Sequence, residues 1–212
     1  VRTALLTGFE PFGGDAANPS GEAVRIVGAG WDGPETLVTE VLPVTFAGAR
    51  ARLRELIDEH DPEVVVATGL AGGRATVTPE RVAINLADAR IPDNAGMQLL
   101  DEPVVAGGPA AHFAGLPVKA ITAAMAAAGI PSSLSHSAGT FVCNHVFYIA
   151  AHEAATRRDM RAGFIHVPWA RGMAPGGEPE LPLGDIARAL HIAVRTSLDT
   201  RVDIRAAGGA IS

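Results

Sequence analysis

The sequence has a single cysteine among its 212 residues, so no disulfide can form within the chain and no second thiol supplies the spacing of a zinc site. Basic residues are not in excess: 17 Lys and Arg stand against 23 Asp and Glu, for a formal charge of −6, and no basic cluster breaks that balance. Nucleic acid and anionic membrane surfaces are therefore poor partners. No apolar run reaches membrane-spanning length, and the opening Val-Arg-Thr-Ala-Leu-Leu-Thr-Gly is too short and lacks the basic lead-in of a secretory signal. A soluble, cytoplasmic protein is the expectation. What the chain does have is 48% apolar residues, enough for a substantial core without staples, in a length that suits one catalytic domain over residues 1–212.

Hydrophobic periodicity switches repeatedly between strand and helix. Residues 2–9 read as a strand that stops in the Gly/Pro-rich loop 10–14, and Ser20 offers an N-cap to a helix through Val27. Residues 36–44, rich in β-branched side chains, and 46–60, with Leu53, Leu56 and Ile57 at helical spacing, repeat that unit. Within 63–69, Val64-Val65-Val66 is the continuous apolar run of a strand covered on both faces. Over 76–86, Glu80, Val82, Ile84 and Leu86 fall at period two and would share one face of a strand, with Glu80 the odd member. Residues 88–117 are thick with Pro, Gly and Asp, an irregular segment long enough to be functional or to serve assembly. Beyond it the pattern predicts a helix over 119–128 ended by Gly129, a short strand over 131–135, and a helix from near 137–140 to about 157. A strand over 162–169, a Gly/Pro-rich loop over 171–182, a helix over 183–197 and a tail polar enough to fray over 201–212 complete the chain. The alternation argues an α/β layered fold.

Cys143 lies in Ser-His-Ser-Ala-Gly-Thr-Phe-Val-Cys-Asn-His, where small residues and hydroxyls lead into an apolar helix, so the thiol falls near the helix start. Open amides and the dipole at a helix N-terminus stabilise a thiolate, and a lowered thiol pKa is expected there. The competing reading is a small buried hydrophobe, as many free cysteines are. A base must converge on the sulfur, and the seven histidines are unequal candidates. His145, two positions along the same helix, projects from nearly the opposite side. His60, His112, His152 and His191 fall in loop-like or helical surface contexts. His136 stands just before the helix and stays within reach. His166 lies in Gly-Phe-Ile-His-Val-Pro-Trp, an apolar strand end where a buried imidazole needs a hydrogen-bond partner. Glu80, if buried, needs a cationic or hydrogen-bonding partner in turn. Together they suggest a thiol hydrolase in which Cys143 attacks, His166 moves protons and Glu80 orients the imidazole. The residues alone leave His136 open as the base.

Three separated segments resemble the type I pyroglutamyl peptidases, also called pyrrolidone-carboxylate peptidases. They are Gly-Phe-Glu-Pro-Phe-Gly-Gly with Asn18-Pro19-Ser20; Gly69-Leu-Ala-Gly-Gly-Arg-Ala-Thr-Val-Thr-Pro-Glu80-Arg-Val-Ala-Ile-Asn85; and Ser137-Ala-Gly-Thr-Phe-Val-Cys143-Asn-His-Val-Phe-Tyr148. His166-Val-Pro follows at the place the resemblance leads one to look. The resemblance spans nearly the whole chain and implies a three-layer α/β/α sandwich around a twisted mixed, mostly parallel sheet. It implies removal of N-terminal pyroglutamyl residues from peptides by a Glu80, Cys143, His166 triad, without metal or organic cofactor, and a homo-oligomer, a dimer or tetramer. It also points to Arg90 as support for the thiolate or the oxyanion, beside the Cys143 backbone N–H.

Pyroglutamate is a small neutral lactam without a free α-amine, so its pocket needs a flat apolar slot, one donor and one acceptor. Phe9 and Phe12 can form the slot and Asn18 can be a polar partner, with backbone groups of 69–73 and 140–143 beside them. Position 70 is Leu where some members of the family carry Gln, which bears on one hydrogen bond to the lactam. The Gly-rich first loop lacks the Lys-Ser/Thr of a P-loop and the GxGxxG spacing of a dinucleotide site. Two rival readings are a nucleoside-phosphorylase-like transferase on a similar sandwich and a catalytically silent binding module.

Overall fold

A computed structural model describes residues 1–209. In chain order the elements are β1 (Thr3–Phe9), α1 (Pro19–Ala29), β2 (Thr36–Leu42), α2 (Phe46–His60), β3 (Val64–Leu70), β4 (Thr78–Pro79), β5 (Val82–Ile84), β6 (Ala111–Phe113), α3 (Val118–Ala127), α4 (Val142–Thr156), β7 (Arg161–Val167), β8 (Trp169–Ala170), β9 (Glu180–Leu181) and α5 (Leu183–Asp199). The main sheet runs β2-β1-β3-β7-β4; its first four strands are parallel and β4 is antiparallel to β7.

Side chains of the sheet alternate between two cores. Leu5, Val65, Ala67, Ala162 and Phe164 pack with the apolar faces of α2 and α4, while Ala4, Leu6, Val64, Val66, Ile165 and Val167 pack with α1, α3 and α5. Both faces of the central strands are thus dry, which is why their sequence shows continuous apolar runs and not alternation. The result is the α/β layering that the alternation of elements predicts, built around the mixed, mostly parallel sheet that the resemblance implies. Among the described residues no helix is long and apolar enough to cross a membrane.

Several local expectations differ from the structure for definite reasons. The strand predicted over 76–86 divides: Thr78–Pro79 joins β7, Val82–Ile84 pairs with β6 in a separate two-stranded sheet, and Glu80 between them makes an isolated bridge to Ser135. The strand predicted over 131–135 reduces to isolated bridges from Ser132 and Ser135. Helix α1 begins before Ser20 because Asn18 is the cap: its Oδ1 accepts from Ser20 N (3.0 Å) and Ser20 Oγ (2.8 Å), with Pro19 in the first turn. Helix α3 has no local cap; Asp203 supplies one from across the chain, its carboxylate accepting from Lys119 N (3.0 Å) and Ala120 N (2.9 Å). That contact ties down the part of the tail expected to fray, of which residues 210–212 lie outside the described residues.

Candidate active site

The nucleophile candidate sits at the start of α4, on the α2/α4 side of the sheet. The hydroxyls that lead into this helix are used in the loop: Thr140 Oγ1 donates to Asp88 O (2.7 Å) and Ser137 Oγ accepts from Gly139 N (3.2 Å). The cap position is Phe141, no side chain caps the helix, and Cys143 is its second residue. The amides of the first turn are therefore left open, a concentration of positive partial charge. Asn144 locks that turn in place, donating to Ile84 O (2.9 Å) and Leu86 O (3.1 Å) and accepting from Ile84 N (3.0 Å) while fully buried. The only mark of Asn144 in the sequence is an amide side chain directly after a candidate nucleophile.

The register of the sheet decides what the thiol faces. In the β3–β7 ladder Gly69 is the partner of His166, so the two residues project to the same face as Phe164 and Val65. A Cβ placed on Gly69 would lie 2.7 Å from Cys143 Sγ and 2.9 Å from the Phe164 ring. The sulfur is thus seated on the bare backbone of Gly69, in the column next to His166. His136, the alternative base, is exposed in the loop before α4. His145 is turned away against the Phe46 ring (5.3 Å between centroids), and burial pushes its pKa down to about 4, with the Arg50 charge adding to the shift.

Glu80 is brought under His166 by β4. Pairing of Thr78 with His166, and the Glu80 N to Phe164 O bond (2.9 Å), turn the Glu80 carboxylate to the imidazole, where Oε1 accepts from Nδ1 at 2.7 Å. Glu80 is fully buried. Burial raises its pKa, but the His166 hydrogen bond and charge, with help from Ser135 and Arg74, more than offset this and leave it below the ordinary carboxylate value. An ionised carboxylate can only accept, so Nδ1 carries the imidazole proton and Nε2 is left with a free lone pair. Burial holds the His166 pKa below its ordinary value against the opposing pull of Glu80.

The thiol departs from expectation. Its apolar surroundings, together with the Glu80 charge, push Cys143 up to about 12, and Arg74 opposes them only in part. Burial is the largest influence on the thiol, so at neutral pH the resting pair is a thiol and a neutral imidazole.

A cavity of about 110 Å³ ends on this sulfur, lined by Phe9, Phe12, Asp15, Asn18, Val44, Leu70, Phe141, Val142 and Cys143. Phe9, Phe12, Asn18 and Leu70, picked out from sequence, thus share one wall system with the thiol. Phe12 leans on Phe141 (5.3 Å between centroids, 52° between planes), and Phe141 meets Phe46 edge-on at 5.3 Å. Asn18 is less free than expected: its Oδ1 serves the α1 cap and its Nδ2 donates to Glu10 O (3.0 Å), leaving one N–H. The backbone of Leu70 is better placed. Ala71 N donates to Val167 O (2.9 Å), so by the alternation of a parallel ladder the Leu70 amide and carbonyl face the other way, where β1 has stopped pairing with β3. The irregular segment after residue 88 buttresses this cavity, with Asn94 Nδ2 donating to Pro11 O (3.0 Å) and Asp93 accepting from Phe46 N (2.9 Å).

Arg90 is exposed and has no hydrogen-bond or ion-pair partner among the described residues. The cation that does reach the polar side of the site is Arg74, whose Nη1 donates to Glu80 Oε1 at 2.7 Å. Among the described residues no group of three or more His, Cys, Asp or Glu side chains is placed to hold a metal ion.

Comparison with known proteins gives the family. The profile of the family described as pyroglutamyl peptidase matches residues 2–200. The pyrrolidone-carboxylate peptidase of Clavibacter michiganensis is 49% identical over 210 residues, covering 99% of each chain, and that of Cupriavidus taiwanensis is 50% identical, covering 98% of each. Among solved structures, the pyroglutamyl peptidase I of Bacillus amyloliquefaciens superposes with a TM-score of 0.94 at 45% identity, covering 97% of this chain and 99% of its own. The pyrrolidone carboxyl peptidase of Thermococcus litoralis does so with a TM-score of 0.91 at 36% identity, covering 97% and 100%. The chain belongs to the pyroglutamyl peptidase family, and with it to the cysteine-peptidase hydrolases.

Proposed function

We propose that the chain removes N-terminal pyroglutamyl residues from peptides by thiol acyl transfer, with Cys143 as nucleophile, His166 as general base and acid, and Glu80 orienting the imidazole. The observation that carries the reading is the seating of Cys143 Sγ on Gly69, beside His166 and at the end of a small apolar cavity. That cavity is well below the ~300–1,000 Å³ of sites for drug-sized ligands, which suits a single small ring. Its lining includes no cationic side chain, which favours a neutral lactam over a phosphate. Phe9, Phe12 and Phe141 supply flat apolar walls; the Leu70 backbone offers a donor and an acceptor to the lactam amide. Because backbone groups do this, leucine at position 70 is compatible with lactam recognition.

The protonation states set the order of events. With the thiol up at about 12 and the imidazole neutral, a standing thiolate is disfavoured, and the proton passes from Sγ to Nε2 as sulfur attacks the pyroglutamyl carbonyl. The open amides of the α4 first turn receive the developing oxyanion. His166 then gives its proton to the leaving amine as the C–N bond breaks. Glu80 stabilises the imidazolium formed in between. Water, activated by His166 Nε2, attacks the thioester and releases pyroglutamate and the free thiol.

The test is release of a reporter amine from a pyroglutamyl amide, compared with prolyl and alanyl amides. Strong preference for the lactam is expected; equal rates on all three would remove lactam specificity. Replacing Cys143 by Ala should leave a folded protein without turnover, and persistent activity in that variant would sink the nucleophile assignment.

A further inference from the structure

Arg74 has no part in the reaction as described so far, yet it occupies the centre of the polar side of the site. After β3 the chain reverses at Gly72-Gly73, with Gly73 at φ +82°, a left-handed conformation that suits glycine. The turn, in which Arg74 N approaches Ala71 O at 3.4 Å, carries Arg74 back to the edge of the sheet held by Glu80. There Nη1 donates to both Thr78 Oγ1 and Glu80 Oε1, the latter at 2.7 Å, and Nη2 donates to Ser137 O at 3.2 Å. Glu80 Oε1 accepts simultaneously from His166 Nδ1. One carboxylate oxygen thus serves a guanidinium and an imidazole, and the other end of the guanidinium holds the loop that feeds α4.

We propose that Arg74 is a positioning residue for the hydrolysis: it fixes the Glu80 carboxylate beneath His166 and ties that pair to the loop that delivers Cys143. The proposal rests on the triad reading above. Its consequence is electrostatic as well as steric. A guanidinium sharing Oε1 offsets the charge with which Glu80 would stabilise an imidazolium, so it keeps His166 ready to accept a proton; its direction on His166 is downward, reinforcing burial. It also favours the thiolate against burial and the Glu80 charge. The other titratable groups around the pair are Cys143 on α4, the exposed His136 before it, and Glu178 from the loop after β8, whose Oε2 lies 3.8 Å from the Cβ position of Gly73.

The experiment measures kcat, KM and the pH dependence of kcat/KM on a pyroglutamyl amide for Arg74→Met, Arg74→Gln and Arg74→Lys, with thermal unfolding to show that each variant is folded. Loss of the cation should raise the pKa of His166, so the acid limb moves to higher pH. In Arg74→Met and Arg74→Gln kcat should fall about 10- to 100-fold with little change in KM, since what is lost is alignment of the base and not ring binding. Arg74→Lys keeps the charge and should recover both the limb position and part of kcat. An acid limb unmoved in the neutral variants, or a lysine variant no better than methionine, would overturn the proposal. Cys143→Ala measured alongside separates the two levels: activity persisting there removes the triad reading itself, whereas an inactive Cys143→Ala beside an unaltered Arg74→Met removes only the role of Arg74.

Discussion

Gly69→Ala is the sharpest test of how the thiol is seated. The added methyl would stand 2.7 Å from Cys143 Sγ and 2.9 Å from the Phe164 ring carbon, against the ~3.5–4.0 Å of ordinary nonbonded contact between carbon atoms, so something must move by about 1 Å. The helix cannot easily retreat, because Asn144 binds it to the Ile84 and Leu86 backbone through three hydrogen bonds. The sulfur must then swing away from the His166 column, and a misplacement of about 1 Å is worth on the order of 100-fold in rate. Overpacking of this kind costs about 1–3 kcal/mol of stability. The expected result is a folded enzyme with kcat down about 100-fold, KM changed less than kcat because the aromatic walls Phe9, Phe12 and Phe141 are untouched, and slower alkylation of Cys143 at fixed pH. Gly176→Ala, where an added Cβ meets nothing within 4 Å, is the control and should leave both rate and stability near wild type. Wild-type kcat in a stably folded Gly69→Ala would refute the seating argument, since the sulfur would then have room that the geometry denies it.

Other outcomes follow from the same site. Glu80→Gln keeps the size but removes the charge that supports the imidazolium, and turnover should fall by about 10²- to 10⁴-fold with the fold retained; an unchanged rate would reduce Glu80 to a structural residue. His145 is buried, neither ring nitrogen has a partner among the described residues, and its pKa is lowered to about 4. Its folded pKa lies below the unfolded value, so the unfolded state binds the proton first and stability is lost as pH falls through that window; between pH 7.5 and 5 the loss attributable to His145 is about 2 kcal/mol. His145→Phe should shrink that loss in urea unfolding measured at the two pH values, and an identical pH dependence in the variant would show that other groups carry it.

Val64-Val65-Val66 announced a strand covered on both faces, and the helical spacing of Leu53, Leu56 and Ile57 announced α2, because burial imposes its period on the chain locally. The period-two run through Glu80 predicts one strand, yet its residues serve two sheets, since alternation says which side chains share a face and nothing about which strand will pair. The hydroxyls before Cys143 bond to Asp88 and Gly139 in the loop, and a cap for α3 comes from Asp203, far along the chain. Arg74, in a Gly-rich turn, had no local mark of its contact with Glu80.

By itself, then, the sequence determined an α/β layering, a thiol at a helix start, the family and the aromatic loop that lines the cavity, all properties carried by short stretches of chain. The tertiary structure set His166 opposite Gly69, on whose backbone the sulfur rests, through the register of two parallel strands, and left His136 exposed in the loop before α4. It also decided that Glu80 is shared between an imidazole and a guanidinium, and that the thiol rests protonated. Those are matters of register, burial and long-range pairing: a residue's partners and the water it loses depend on chain segments dozens of positions away, which no local pattern contains.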